Sequence, residues 1–500
     1  MQGANRVIKN GLANIINGFS NILLGVVMAP FLIRSLSLKE FSTWSIVIQI
    51  AALFTVIGYA LQLVTGRFIT LGITESDKEK QANYLFQGLL LSLILFFISF
   101  IISIIVYYCF ADIFHDIDVS LITPAKECFL FLAVSFCLGT IASVYVGYFI
   151  GCERNEVPAI VNLVTRINTG IIIVCAAKLN LGLIVMGALY AIMNLLSYAA
   201  IYIYYKCNFW QRSVSSFKKK SEGLASFTKF FFDAFLINIA MFLITGMTTL
   251  IIGRYDFEKV AYFSIAMSLV NAFIGLISAA ISPFLQTFVI VSLSHKDKVA
   301  TTFIKLTNLI IIFVALCILL TKVIAPVFLS LWIGSEKSQI ATPVLQLMLA
   351  CYAIRLIGLP LGLLMMAKGK TAKIAYGALA EGGLVFIICL LVVRYYSVTG
   401  VFFTVAGCAT LILTYYIKIV VSEIANSTNE NKIRRALWLR YTFAPILLLV
   451  VAYIISHKDE SQFVVYSIYT GIIVTALLGF RQLISLKREV DQIYRHIEKG

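Results

Sequence analysis

The chain is 500 residues long, 60% hydrophobic and only 13% charged, with a formal charge of +16. A soluble domain of that composition would expose more apolar surface than its own core could hide, so a bilayer must supply the missing interior. The ten cysteines stand singly, most inside apolar runs and none in a CxxC pair, which supports neither a zinc site nor a disulfide framework.

Apolar runs of about 20 residues, the length that crosses a ~30 Å hydrocarbon layer, recur along the chain. They predict helices at 11–33, 42–65, 84–109, 127–150, 158–177, 182–205, 230–253, 260–290, 300–331, 343–367, 374–393, 399–421, 442–456 and 463–480. The predicted fold is therefore an all-α polytopic bundle of about fourteen crossings. Solid runs such as Gly88 to Cys109 lack the alternation of a β-barrel. Arg6 and Lys9 precede the first run and no small-residue cleavage site closes it, so it reads as a retained helix.

Alternate connections divide the basic residues unequally, 26 Lys and Arg on the side of the N-terminus against 9 on the other. Positive loops stay in the cytoplasm, which places both termini there. This asymmetry and the membrane surface account for the net charge without nucleic acid. The most basic internal connection, 206–229 with Lys218, Lys219 and Lys220, is the expected boundary between an N-terminal lobe, 1–205, and a C-terminal lobe, 230–425. Its plain role is an anchor beside anionic lipid. Helices thirteen and fourteen (426–480) and a tail (481–500) follow, and residues 484–498 have the mixed charge of a short surface helix.

Few ionisable residues fall inside the predicted spans. Lys305, Lys322 and Lys418 lie close enough to helix ends to snorkel. Arg166, Arg355 and Glu381 sit roughly seven to twelve residues from the nearer edge, where an ion facing lipid costs at least ~2.5 kcal/mol, so they should face protein or water. Arg355 and Glu381 lie at similar depth on consecutive helices, which makes a direct pair plausible, either as a structural lock or as part of a cavity. Arg166 has no acidic partner in its own lobe and is a cavity candidate. Asp233, slightly inside the seventh span, is either an N-terminal helix charge or, with Glu381, a group able to titrate. Asn14, Asn17 and Asn21 recur at i, i+3 and i+7 and form a polar stripe on helix one, and Asn238 lies on helix seven. Such amides bond either a neighbouring helix or a ligand.

The segment PFLIRSLSLKEFSTWSIVIQIAALFTVIGYALQLVTGR, residues 30–67, carries Pro30, Phe41, Trp44, Gly58 and Arg67 in an order that resembles the opening of Wzx-type O-antigen and polysaccharide flippases. These belong to the multidrug/oligosaccharidyl-lipid/polysaccharide exporter superfamily. Ser37 departs from the glycine common before the second helix. A second match is APVFLSLWIG, with Trp332 and Gly334, followed by MMAKGKTAK ending at Lys373. The resemblance implies two six-helix lobes in a V around a central cavity, two appended helices, and alternating access in the inner membrane of a bacterium. A weak internal echo agrees: basic turns at Arg154 and Lys370 each precede a helix with an ionisable residue three turns in, Arg166 and Glu381, then an outer turn ending at Gly182 or Gly400.

The cargo implied is an undecaprenyl-diphosphate-linked oligosaccharide such as an O-antigen repeat unit of lipopolysaccharide. Its diphosphate calls for fixed cations in a wet path, which Arg166 and Arg355 could supply, with Asn14, Asn17, Asn21 and Asn238 for the sugar. The implied partners are that lipid, the surrounding membrane lipids and glycan polymerases of the export route. No cofactor is expected, while a proton or sodium gradient could act through Glu381 or Asp233. The alternatives are a drug or metabolite antiporter of the same superfamily, which usually has twelve crossings, and a membrane glycan polymerase or ligase. For an enzyme the only acid or metal cluster is Asp112, His115, Asp116 and Asp118, on one outer loop where a solvated acidic turn is the simpler reading. Asn426-Ser-Thr matches a glycosylation sequon but falls in a cytoplasmic loop, where it carries no meaning.

Overall fold

The computed structural model describes residues 25–213, 223–281, 284–294, 298–368, 370, 372–424, 430–456 and 462–498. Asn14, Asn17, Asn21 and Lys218–Lys220 lie outside them. All regular structure among the described residues is helical, as lipid demands of a chain that must satisfy every backbone group internally. Twelve of the helices are long and apolar enough to cross a membrane. One of them holds two predicted spans, and a shorter helix, Gly25–Ser35 (α1), is the described end of the first.

The chain divides into two compact units, 1–264 and 265–500. The first contains α1, α2 (Leu38–Thr74), α3 (Lys78–Ile113), α4 (Val119–Gly151), α5 (Glu156–Lys178), α6 (Gly182–Ser213) and α7 (Leu224–Tyr255). It also takes the start of α8 (Val260–Ile281). Helix α7 packs on α2 within this unit, so the division falls one helix beyond the 206–229 connection. Four side chains explain the attachment: Phe68 of α2 meets Phe227 of α7 at 5.2 Å, and the Arg67 guanidinium lies 4.3 Å above the Phe230 ring. Ser37 caps α2 reciprocally with Glu40, its hydroxyl accepting from the Glu40 amide while the Glu40 carboxylate accepts from the Ser37 amide. The residue that departs from the glycine of related sequences thus has a helix-starting role of its own.

The second unit holds the rest of α8, α9 (Phe284–Ser294), α10 (Val299–Ile333), α11 (Ser335–Ala353), α12 (Leu359–Ala367), α13 (Ala372–Ile424), α14 (Glu430–Trp438), α15 (Ala444–Ser456) and α16 (Gln462–Glu498). Its helices depart from the predicted spans where backbone chemistry interrupts them. The tenth span is broken by a 3₁₀ stretch, Ile354–Gly358, because Pro360 has no N–H and its ring crowds the carbonyl of residue 356. Spans eleven and twelve are the two arms of α13, which turns at Ser397 with φ 54° and ψ −146°. The thirteenth begins far earlier than residue 442: α14 leads through a wide π turn, Leu439–Phe443, into α15, with Pro445 just past the widened turn. The expected separate surface helix at 484–498 is instead continuous with the last crossing in α16, 37 residues long.

Candidate functional site

In the first unit α2, α4, α5 and α6 enclose a cavity of about 300 Å³. Close helix approach shapes its walls. A Cβ added to Gly147 of α4 would come within 2.7 Å of Thr65 Cβ and 2.8 Å of the Gln62 carbonyl oxygen on α2. Small residues at such a crossing let two membrane helices touch backbone to backbone. One turn-pair earlier, Gly139 leaves room for the phenol of Tyr198, whose oxygen would lie 2.5 Å from an added Cβ. Tyr198 is thereby held across the cavity rather than out towards lipid.

The lining is polar from every side: Thr55, Tyr59 and Gln62 from α2, Thr140 and Ser143 from α4, Asn162, Thr165, Arg166 and Thr169 from α5, and Tyr190, Asn194, Ser197 and Tyr198 from α6. Several hydroxyls are spent on their own helix, Ser143 donating to the Thr140 carbonyl at 2.6 Å and Thr169 to that of Thr165 at 2.8 Å. Asn194 donates across to the Ser135 hydroxyl at 3.1 Å. Arg166 is the one charged residue in the lining. It stands at the eleventh position of the 23-residue α5, so ~15 Å of helix separates it from either end. Among the described residues it makes no ion pair and no hydrogen bond, although Tyr198 lies within its field. A half-buried guanidinium with its donors unspent, ringed by hydroxyls and amides, is a receptor for an anion bearing further hydroxyl groups.

The second unit places Arg355 and Glu381 in direct contact, Arg355 Nε donating to Glu381 Oε1 at 2.7 Å, with side chains only 16% and 10% exposed. Arg355 lies in the 3₁₀ stretch and Glu381 on the first arm of α13. The pair joins a broken helix to its neighbour. Of the other residues singled out, Asn238 donates to the Ala234 carbonyl of its own helix at 2.8 Å. Asp233 is exposed, ten positions into α7 because that helix starts at Leu224. The helix-terminus explanation for Asp233 therefore lapses, since the dipole effect fades within the first turn. On the outer connection, which is shorter than predicted, Asp118 accepts from Lys39 at 2.9 Å and His115 lies 3.4 Å from Asp116.

One intramembrane cation escaped the sequence reading. Arg440 lies in the π turn, and its Nε donates to Asn308 Oδ1 of α10 at 2.6 Å. It was counted with the loop because the apolar run begins only after it. The early start of α14, with Ile433 and Leu437 buried one turn apart, was the available signal.

The fold and the charged cavity define a polytopic membrane protein with a polar site inside its N-terminal half. The chain matches the sequence profile of the family described as "Polysaccharide biosynthesis protein" over residues 7–289, more than half its length, and belongs to that family. Among solved structures it is similar to the lipid II flippase MurJ in an inward closed conformation, at 16% identity and a TM-score of 0.67, covering 95% of this chain and 100% of that one. It is also similar to an inward-facing multidrug resistance MATE family transporter of the MOP superfamily, at 14% identity and a TM-score of 0.64, covering 83% and 96%. A MOP superfamily transporter from Pyrococcus furiosus aligns at 14% identity and a TM-score of 0.52, covering 90% and 95%. At these identities the likeness concerns the fold. No curated protein matches the chain.

Proposed function

We propose that this protein is a flippase that carries an undecaprenyl-diphosphate-linked oligosaccharide, such as an O-antigen repeat unit, from the cytoplasmic to the outer leaflet of a bacterial inner membrane by alternating access. The observation that carries the reading is Arg166, a cation without an ion pair among the described residues, in a cavity where hydroxyls, amides and phenols share the walls with apolar side chains such as Ile48, Phe136 and Val146. Phosphate and sugar call for a fixed cation and several neutral hydrogen-bonding groups, and both line this cavity. Arg166 engages the diphosphate, and Asn162, Gln62, Tyr190 and Tyr198 bond to or stack against the sugar. The proposed role is transport rather than catalysis. Asn14, Asn17, Asn21 and Asn238 remain candidate sugar contacts and Arg355 a second cation. Glu381 and Asp233 are the carboxylates through which a proton or sodium gradient would act. Membrane lipids surround the protein, and polymerases of the export route are its proposed downstream partners.

The test is complementation of a strain lacking the gene. Wild type restores surface polysaccharide, while well-expressed Arg166→Ala does not and lipid-linked repeat units accumulate on the cytoplasmic side. Normal polysaccharide in the deletion strain, with no second flippase present, would overturn the proposal and leave a drug or metabolite antiporter in front.

A further inference from the structure

Helix α7 opens the second set of six predicted spans, yet it lies along α2 of the first unit, to which it runs antiparallel: Phe68 of α2 meets Phe227, and Ile46 lies against Gly253. From Phe227 to Gly253 the helix rises ~39 Å, the full height of a bilayer. The inner end of this seam is a closed apolar core, with Leu61, Val64 and Phe68 of α2 and Phe227, Phe231 and Ala234 of α7 at most 7% exposed. Tyr84 of α3 meets Phe68 edge-on at 5.0 Å and stands 3.1 Å from where a Cβ of Gly223 would be, so two helices hold the start of α7. At mid-height a Cβ on Gly246 would collide with Gln49 Nε2, and at the outer end one on Gly253 would come within 2.6 Å of Ile46 Cδ1. Arg254, next along, donates from Nη1 to the Ile113 carbonyl at 3.1 Å and so caps the last residue of α3.

A cleft that opens alternately to the two faces of a membrane needs helices that part at one end while they close at the other. Neither end of the α2–α7 seam suits that role. Parting at the inner end would unpack a dry core, and parting at the outer end would strip the guanidinium from the terminal carbonyl of α3. Helix α7 also has no proline, and its two glycines, Gly246 and Gly253, are taken up by close approach to α2, which leaves no kink through which one end could move while the other stays. We propose that α7 is a fixed member of the first unit and stays packed on α2 at both ends throughout the transport cycle. The inference rests on the alternating-access reading above and adds to it a helix that does not change sides. The 206–229 connection then joins two helices of one body and need not stretch. Bending falls beyond Tyr255, where Asp256 leaves helical geometry with φ −155° and ψ 63°.

In the full-length chain with its ten native cysteines replaced by alanine or serine, I46C/G253C is closed at the outer end as a disulfide and R67C/F230C at the inner end with a short bis-maleimide. Each variant is reconstituted, and movement of a fluorescent undecaprenyl-diphosphate oligosaccharide is measured in the same preparation before and after closure, so that a folding defect is not mistaken for a block. Closing either pair should change the rate by less than about twofold, since no step of the cycle parts these helices. A loss of about tenfold or more on closing either pair, reversed at the outer one by reduction, would overturn the proposal and return α7 to the second lobe. A second readout needs no transport. A water-soluble maleimide should label A234C, 5% exposed in the α2–α7 core, about a hundredfold more slowly than the exposed K229C, with or without an imposed proton or sodium gradient. Near-equal labelling rates would overturn the fixed helix. Wild type that moves no lipid, with A234C still protected, would sink the flippase reading and leave the fixed helix standing.

Discussion

Removing either member of the Arg355–Glu381 pair takes the opposite charge away from the other in a largely buried position. With the donor and acceptor 2.7 Å apart and charge centres about 4 Å apart, the attraction is ~4 kcal/mol at an effective dielectric of about 20. Desolvation offsets much of that in the wild type, yet a stranded ion keeps its desolvation cost and loses its partner. Arg355→Met and Glu381→Leu should therefore each destabilise by ~3–5 kcal/mol. The double variant removes both ions and should lie closer to wild type than either single change, because packed apolar side chains replace a desolvated pair at little net cost. The assay is unfolding of the purified protein in mixed micelles of denaturing detergent, followed by tryptophan fluorescence, with all four corners of the cycle measured. Singles costing under about 1 kcal/mol, or a double variant costing the sum of the two, would refute the reasoning and show the two residues to be independently solvated.

Gly147→Ala pushes a methyl into Thr65 and the Gln62 carbonyl, so it should lower stability by ~1–3 kcal/mol in the same unfolding assay, whereas Gly383→Ala, which meets nothing within 4 Å, should not. Asn308→Leu leaves the Arg440 Nε, though not the Nη1 that donates to the Ala436 carbonyl, without its acceptor and should cost ~1.5–3 kcal/mol, a loss that Asn308→Asp should avoid. Arg166→Ala breaks no ion pair and should leave stability within ~0.5 kcal/mol while reducing export at least tenfold, with Arg166→Lys intermediate because it keeps charge but not the planar fork.

Hydropathy and loop charge made the crossings legible, since burying twenty apolar residues per span dominates every local preference. The breaks were less so: Pro360 and Pro445 stand in the sequence, but whether a proline kinks, widens or ends a helix depends on the neighbours that accept its freed carbonyl. Arg166 stood out because a lone charge in an apolar run is costly. The groups around it did not, although the rule applied to Asn14, Asn17 and Asn21 also picks out Asn162, Thr165, Arg166 and Thr169 on one helix and Tyr190, Asn194, Ser197 and Tyr198 on another. Convergence of those stripes on one cavity is a property of packing. Asp233 misled because Thr228 and Lys229 interrupt the apolar run, so the span was expected from residue 230 although the helix starts at Leu224. Arg440 was hidden for the same reason.

The most direct test of the central claim is translocation in proteoliposomes containing only this protein and a fluorescent undecaprenyl-diphosphate oligosaccharide, read by the fraction accessible to an external glycosidase over time. The account predicts that wild type equilibrates the lipid between leaflets and that Arg166→Ala slows this at least tenfold at equal incorporation. Movement no faster than in empty liposomes, with or without an imposed proton or sodium gradient, would contradict it.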